Sequence, residues 1–340
     1  MTDPVPVAAP APTGTQVQAY SYRSITPVGR PIDVNARLYL PPGTAPAGGW
    51  PLIAYGHGAS GVVQHCPPTG YDPGLTPLLN SGFAVSYTNY QGLGGPGLHP
   101  FLESESQARD VLYAARAARA ARNDLSDRVV LVGGSQGGRA TEAAASLASL
   151  TPELRILGNA MGAPALRIDL TTGIDNHTLT AGQLVLLPYF VYGIQRRYPS
   201  LQYSSVMRGA LLANAPAIVN TCSGDTEPQF APLVSPVDTQ FASATARTQL
   251  AEYLASGNLP WNPHPTIPDM ITRGDSDTVV LPQWTASAVK AMCANGTRVF
   301  DQLRPGDHTD NPTIDISRIG SWVADRFAGR PAPNNCFNTG

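Results

Sequence analysis

Three short, largely apolar runs constrain this chain more than any other feature: PLIAY at 51–55, FAVSY at 83–87 and RVVLV at 128–132. A strand with one wet face alternates polar and apolar residues. A run that does not alternate belongs to a strand covered on both faces. Each run leads into a glycine-rich stretch, GHGASG at 56–61, GLGGPG at 92–97 and GGSQGG at 133–138. Between the second and third runs, Ala108, Val111, Leu112, Ala115 and Ala118 recur at helical spacing, with Arg109, Arg116, Arg119 and Arg122 largely off that stripe. A small-residue helix is expected over Arg139–Leu150, and a further strand over Ile156–Met161. Strand and helix in alternation predict a mostly parallel sheet flanked by helices.

The rest of the chain hangs on that frame. Val17–Ile25 and Ile32–Leu40 read as strands around the turn Pro27-Val28-Gly29. From 167 to 265 the pattern lapses into proline-punctuated apolar stretches such as LVLLPYFVYGI. It resumes with a strand over Asp269–Thr272, a helix over Leu281–Ala294, a strand over Thr297–Leu303 and a last helix over Ile314–Ala328. The expected organisation is a flexible Pro/Ala-rich segment over 1–16, an α/β core over 17–166 and 266–340, and a helical cap inserted over 167–265. Gly and Pro number 33 each, yet 42% of residues are hydrophobic, so the chain is loop-rich but able to build a core. A net charge of −2 without a basic cluster argues against nucleic acid as a partner. The longest apolar run, Leu184–Ile194, is broken by Pro188 and Gly193 and is too short to span a bilayer.

Met1-Thr2-Asp3 is no secretory leader, but residues 4–14 have the composition of a segment that follows one. The four cysteines form no CxxC and carry no metal-ligand spacing, so zinc is not expected. Three pairings are open to them. Cys66–Cys222 with Cys293–Cys336 is favoured, because the second bridge would tie the tail to the body. Oxidised cysteines and secretion go together.

Gly133-Gly134-Ser135-Gln136-Gly137 matches G-x-S-x-G. Its context gives it meaning: a buried strand ends at 132 and a helix begins within a few residues, so a sharp turn can hold the Ser135 hydroxyl up at the sheet edge. Glycine at 133 and 137 is required because side chains would collide across so tight a turn. A serine hydroxyl needs a base. After such a turn the acid and then the histidine follow along the chain. Of the six histidines only His308 follows a suitable acid, in a loop just past a strand. Asp277, in Gly274-x-x-Asp277-x-x-Val280, is the expected acid, with Asp275 in reserve. Asp307 adjoins His308 too closely for that geometry and reads as a turn residue. The oxyanion that forms during acyl transfer needs two donors. The Gln136 N–H heads the helix after the serine, and the second donor is expected from the loop after PLIAY, at Ala59, with Gly58 and Ser60 as neighbours. His99-Pro100 is read as a structural turn.

Taken together, Tyr55-Gly56-His57-Gly58, the glycine loop leading to Gly97-Leu98-His99-Pro100-Phe101, the Ala/Arg helix, the GGSQGG turn and GNAMGAPALRID at 158–169 resemble the secretory lipase family of α/β-hydrolases. The resemblance covers about residues 35–335. It implies the α/β-hydrolase fold, a triad on Ser135, Asp277 and His308, a helical cap over the acyl site, and hydrolysis of acylglycerols or simpler carboxylic esters. It also fits the two disulfides favoured above. The chain departs in carrying His57-Gly58 where some members place an acidic residue.

The expected activity is therefore that of a secreted serine ester hydrolase, a lipase or carboxylesterase without metal or organic cofactor, monomeric and in transient contact with lipid interfaces as its cap opens. Leu184–Val191 and the group Met207, Leu211, Leu212, Ile218 and Val219 are candidate acyl-chain surfaces. Acyl transfer, or hydrolysis of polyesters or other unusual esters on the same triad, is the nearest rival. An inactive hydrolase fold used for binding is the rival of another class.

Overall fold

The computed structural model describes residues 2–68, 74–310 and 316–336. Among these, nine strands form one sheet in the order β1-β2-β3-β5-β4-β6-β7-β8-β9. β1 (Val5–Pro6), β2 (Gln16–Ile25), β3 (Pro31–Leu40) and β5 (Ala84–Thr88) pair antiparallel in turn. From β5 the sheet runs parallel through β4 (Trp50–Gly56), β6 (Leu125–Gly134), β7 (Arg155–Gly162), β8 (Asp269–Gly274) and β9 (Val299–Arg304). The three apolar runs are β4, β5 and β6, side by side at the centre of the sheet.

Alternate residues of these strands feed two different cores. Leu52, Ala54, Val129 and Leu131 pack against α2 (Ser104–Ala121) and α3 (Gln136–Ser146). Ile53, Tyr55, Val130 and Val132 pack on the other face, against α1 (Leu75–Asn80) and α10 (Ile316–Phe327). Two apolar coats, one per face, are why these strands show no polar alternation. The expected start of the last helix, Ile314, lies outside the described residues.

Between β7 and β8 the chain forms α4 (Thr171–Asn176), α5 (Ala181–Ile194), α6 (Gly209–Val219), α7 (Ser223–Phe230) and α8 (Ala244–Ser256). They share a separate apolar core with Phe101, Leu102 and Val62 of the main body. α5 hid from sequence reading because it is buried nearly all round and so has no polar face to mark its period. α9 (Pro282–Ala294) follows β8.

The N-terminal segment differs from expectation. Val5 and Pro6 extend the sheet on the free edge of β2, and Ala9 and Ala11 pack against the Tyr39 cluster. An unpaired edge offers hydrogen bonds to any extended neighbour, and this segment takes them. Cys66 is bonded to Cys222 and Cys293 to Cys336.

Candidate active site

All the residues singled out for chemistry sit at the carboxyl ends of parallel strands: Ala59 after β4, Ser135 after β6, Asp277 after β8 and His308 after β9. Open α/β sheets place their ligand crevices there. Ser135 adopts φ +52° and ψ −118°, a conformation that side chains seldom hold. Its backbone is gripped on both sides: its N–H donates to the Gly162 carbonyl at 2.8 Å, and its own carbonyl accepts from Arg139 N–H (3.2 Å) and Ala165 N–H (3.0 Å). The turn works only because its neighbours lack side chains. A Cβ on Gly137 would lie 1.8 Å from the Gly56 carbonyl oxygen, and one on Gly133 would lie 2.4 Å from the Gly137 carbonyl.

The structure brings Ser135, His308 and Asp277 together. His308 Nε2 lies 2.9 Å from Ser135 Oγ, and His308 Nδ1 lies 2.8 Å from Asp277 Oδ2. The Asp277 carboxylate only accepts, so Nδ1 carries the proton and Nε2 offers its lone pair to the serine O–H. Asp277 Oδ1 accepts from the Val279 and Val280 N–H groups at 2.9 and 2.8 Å, which leaves Oδ2 to the imidazole. Asp277 and His308 are both buried. Asp275, the reserve acid, bonds instead to the Gly306 N–H.

Asp307 is more than a turn residue. Its carboxylate accepts from Thr278 N–H (2.8 Å) and His308 N–H (2.7 Å), tying the aspartate loop to the histidine loop. Burial pushes its carboxyl up, but these bonds outweigh that and hold it below the usual carboxylate value.

In the loop after β4, the Gly58 carbonyl accepts from His57 Nδ1–H at 2.6 Å, and His57 Nε2 lies 3.3 Å from the Asn89 carbonyl. The His57 ring stacks on Tyr87 and contacts Tyr90. A trans peptide sets its N–H opposite its C=O, so the Gly58–Ala59 peptide turns the Ala59 N–H away from His57. Gln136 begins α3, where an N–H has no partner within the helix. Its side-chain amide donates to His99 Nε2 at 3.0 Å, while His99 Nδ1 donates to the Gln91 carbonyl at 3.0 Å. Burial drives His99 down to about 3, so it stays neutral and keeps that tautomer. The His99 turn is thus a prop for the residue after the serine.

Two cavities meet at Ser135. One is an open cleft of about 800 Å³, whose walls include Gly58, Ala59, Glu227, Asp307, His308 and Thr309. The other is a smaller, apolar slot of about 30 Å³, lined by Gln136, Leu102, Ile168, Leu170, Phe190 and Trp284 among others. Of the apolar cap residues expected to receive an acyl chain, Val185, Leu186 and Phe190 reach a cavity wall. Met207, Leu211, Leu212, Ile218 and Val219 pack within the cap core.

Sequence reading missed a buried polar cluster below the serine helix. His264 Nε2 donates to Glu142 Oε1 at 2.9 Å, and the Asn159 amide donates to Glu142 and to Asp269, both at 3.1 Å. All four are buried. The partners lie up to 122 residues apart in sequence, with no local pattern to link them.

A model of the secretory lipase family matches residues 71–335 of the chain. No curated protein sequence matches it. Among solved structures, the rice cell wall degrading esterase LipA from Xanthomonas oryzae superposes with a TM-score of 0.76 at 21% identity, covering 93% of this chain and 92% of that one. Candida antarctica lipase A in its closed state gives 0.78 at 17% identity, over 98% and 83%. At such identities the likeness speaks for the fold, a mostly parallel α/β-hydrolase sheet.

Proposed function

The chain belongs to the secretory lipase family and is a carboxylic ester hydrolase, and from that premise we propose that it works through an acyl-enzyme on Ser135. The observation that carries this reading is the relay of two short hydrogen bonds, Ser135 Oγ to His308 Nε2 and His308 Nδ1 to Asp277 Oδ2.

Ser135 Oγ attacks the ester carbonyl while its proton passes to His308 Nε2. Asp277 holds the imidazole in the tautomer that can accept and stabilises the imidazolium that forms. The N–H groups of Gln136 and Ala59 receive the developing oxyanion, the first with the positive end of the α3 dipole behind it. Collapse of the intermediate breaks the bond to the alcohol oxygen, which takes the proton from His308. Water then repeats the sequence: it gives a proton to His308, adds to the acyl carbon and releases the acid, and the proton returns to Ser135. Two disulfides support secretion, because they persist in oxidising compartments. The protein is proposed to act as a monomer on a small-molecule or lipid ester.

A fluorophosphonate probe applied to wild type and Ser135→Ala, with p-nitrophenyl ester hydrolysis measured in parallel, tests the reading. Labelling and turnover should vanish together in the variant. Wild type that is folded, unlabelled and inactive towards every ester would overturn it.

A further inference from the structure

We infer that Asp110, a residue of α2 that lines neither cavity, is a positioning residue for both donors of the oxyanion hole, acting through residues 89–91 at the end of β5. This rests on the acyl-enzyme reading above, with Gln136 and Ala59 as the two donors. The short segment Asn89-Tyr90-Gln91 touches the support of each. The Gln91 carbonyl accepts from His99 Nδ1–H at 3.0 Å, and His99 Nε2 in turn holds the Gln136 side chain. On the other side, the Tyr90 O–H donates to the His57 carbonyl at 3.3 Å, and the two rings lie 4.5 Å apart. His57 orients the Gly58 carbonyl, and with it the Ala59 N–H. What fixes this segment therefore fixes both donors.

The segment does not hold its shape unaided. Tyr90 has φ +61°, a left-handed conformation that a bulky side chain keeps only where its surroundings impose it. Ahead of Tyr90, the Asn89 N–H is pinned to the Asn35 carbonyl at 2.9 Å. Behind it, the Gln91 N–H donates to Asp110 Oδ2 at 2.8 Å. The Gln91 side-chain amide adds longer contacts to both carboxylate oxygens, at 3.3 and 3.4 Å. The Ser24 O–H donates to Oδ1 at 2.6 Å and sets the orientation of the carboxylate itself.

Packing alone does not account for a carboxylate at this position. Asp110 is fully buried in a helix whose Ala108, Val111, Leu112 and Ala114 belong to the core. Burial raises its carboxyl to about 7 in spite of the bonds from Ser24 and Gln91, and the charge of Glu103 pushes the same way. An apolar side chain would cost less to bury. The use of the carboxylate lies in what it holds, and most of what it holds is Gln91.

The experiment measures kcat and KM on p-nitrophenyl butyrate for wild type, Asp110→Ala and Asp110→Asn, with folded protein checked by circular dichroism and Ser135 labelling run alongside. Alanine leaves the Gln91 N–H without its acceptor. Losing one aligned oxyanion donor costs about 10²–10³ in kcat, so folded Asp110→Ala should lose about 100-fold or more in kcat with KM little changed. Asparagine still offers an oxygen to the Gln91 N–H. A bond to a neutral acceptor is about half as strong as one to a carboxylate, so this variant should return to within about tenfold of wild type. The losses of Asp110→Ala and His57→Phe should combine to less than their product, because both act on the same hole. Asp110→Leu, which fills the space without an acceptor, carries the same expectation where alanine does not fold. Folded Ala or Leu variants with kcat within about tenfold of wild type, losses that multiply in full, or failure of both to fold while Asn folds would overturn the positioning role and leave the acyl-enzyme standing. Wild type that is neither labelled nor active on any ester overturns both.

Discussion

Replacing His264 by glutamine attacks the buried cluster under the nucleophile helix, and the size of the loss can be worked out. In the folded protein burial alone would push the imidazolium down. The charge and hydrogen bond of Glu142 outweigh that, with help from Asp269 and the Ile267 carbonyl, and lift it to about 10. Glutamine leaves Glu142 buried without a cation, a change that typically costs about 3–5 kcal/mol. Unfolding entropy of roughly 2.1 cal/mol/K per residue over 340 residues amounts to about 0.7 kcal/mol/K. The apparent Tm should therefore fall by about 4–7 °C at pH 7. The pH dependence adds a second reading. Because the folded pKa of His264 is raised, its contribution is complete below the unfolded value of about 6.5 and disappears as pH climbs towards about 10. Asp269 is likewise raised, by burial and then by Glu142, so its native proton works in the same direction. Wild type should lose stability from pH 7 to 10, and the variant should lose much less across that window. Scanning calorimetry at matched scan rates reads both. A Tm drop under about 1 °C, or an alkaline slope equal to wild type, would refute the ion-pair account.

Other perturbations probe the site itself. Asp277→Asn should lower kcat by up to about 10⁴-fold, because an amide presents His308 with the wrong hydrogen-bond partner; kcat within tenfold of wild type would point to another acid. His57→Phe keeps a ring against Tyr87 but frees the Gly58 carbonyl. Loss of one aligned oxyanion donor typically costs about 10²–10³ in kcat, so the steady-state signature is a fall in kcat with KM little changed, and an unchanged kcat would remove His57 from the argument. Gly137→Ala puts a Cβ 1.8 Å from the Gly56 oxygen and should abolish soluble folded protein or cut its Tm by several degrees; a stable, active variant would mean the turn is looser than described. Because α7 is tied to the loop after β4 by the Cys66–Cys222 bond and by the Ser223 N–H donating to the Ser60 carbonyl, rates on tributyrin followed through its solubility limit should saturate smoothly, and a jump at the limit would mean that the cap opens there.

The sheet and the reacting groups were legible in sequence because local signals encode them. Leu52–Tyr55 and Val129–Val132 are apolar at every position, which is the mark of strands covered twice. Ser135 stood out through glycines that the backbone needs for clearance, and His308 and Asp277 through their order behind it. What stayed hidden depends on long-range pairing. Nothing around Thr141-Glu142-Ala143 or Pro263-His264-Pro265 announces a buried ion pair. Nor does Gly56-His57-Gly58 reveal that its imidazole orients a peptide instead of reacting. Asp307 was recognised as a turn former, but its hold on Thr278 is a contact between loops 29 residues apart. The cap resisted for another reason: α5 is apolar on all sides, so its period carries no polar mark, and Pro188 sits inside it.

These hidden contacts share one task. Ser135 is held at a positive φ at the head of α3, and a strained nucleophile is useful only if the helix behind it cannot relax. Gln136, Arg139 and Glu142 recur every third residue from that head, and all three are buried. Gln136 is fastened to His99. Arg139 donates to the Leu102 and Ala165 carbonyls at 3.0 Å each. Burial lowers its guanidinium to about 10, still charged at neutral pH. Glu142 is fastened to His264 and Asn159. Apolar side chains at these positions would fill the same space but could slide; directed hydrogen bonds fix rotation and rise as well as depth. A donor aimed at the oxyanion must already be in place when charge develops, since reorganisation at that moment would cost the rate it is meant to supply. The three anchors therefore give α3 one orientation, and with it the Gln136 N–H and the Ser135 hydroxyl one line of approach to the ester carbon.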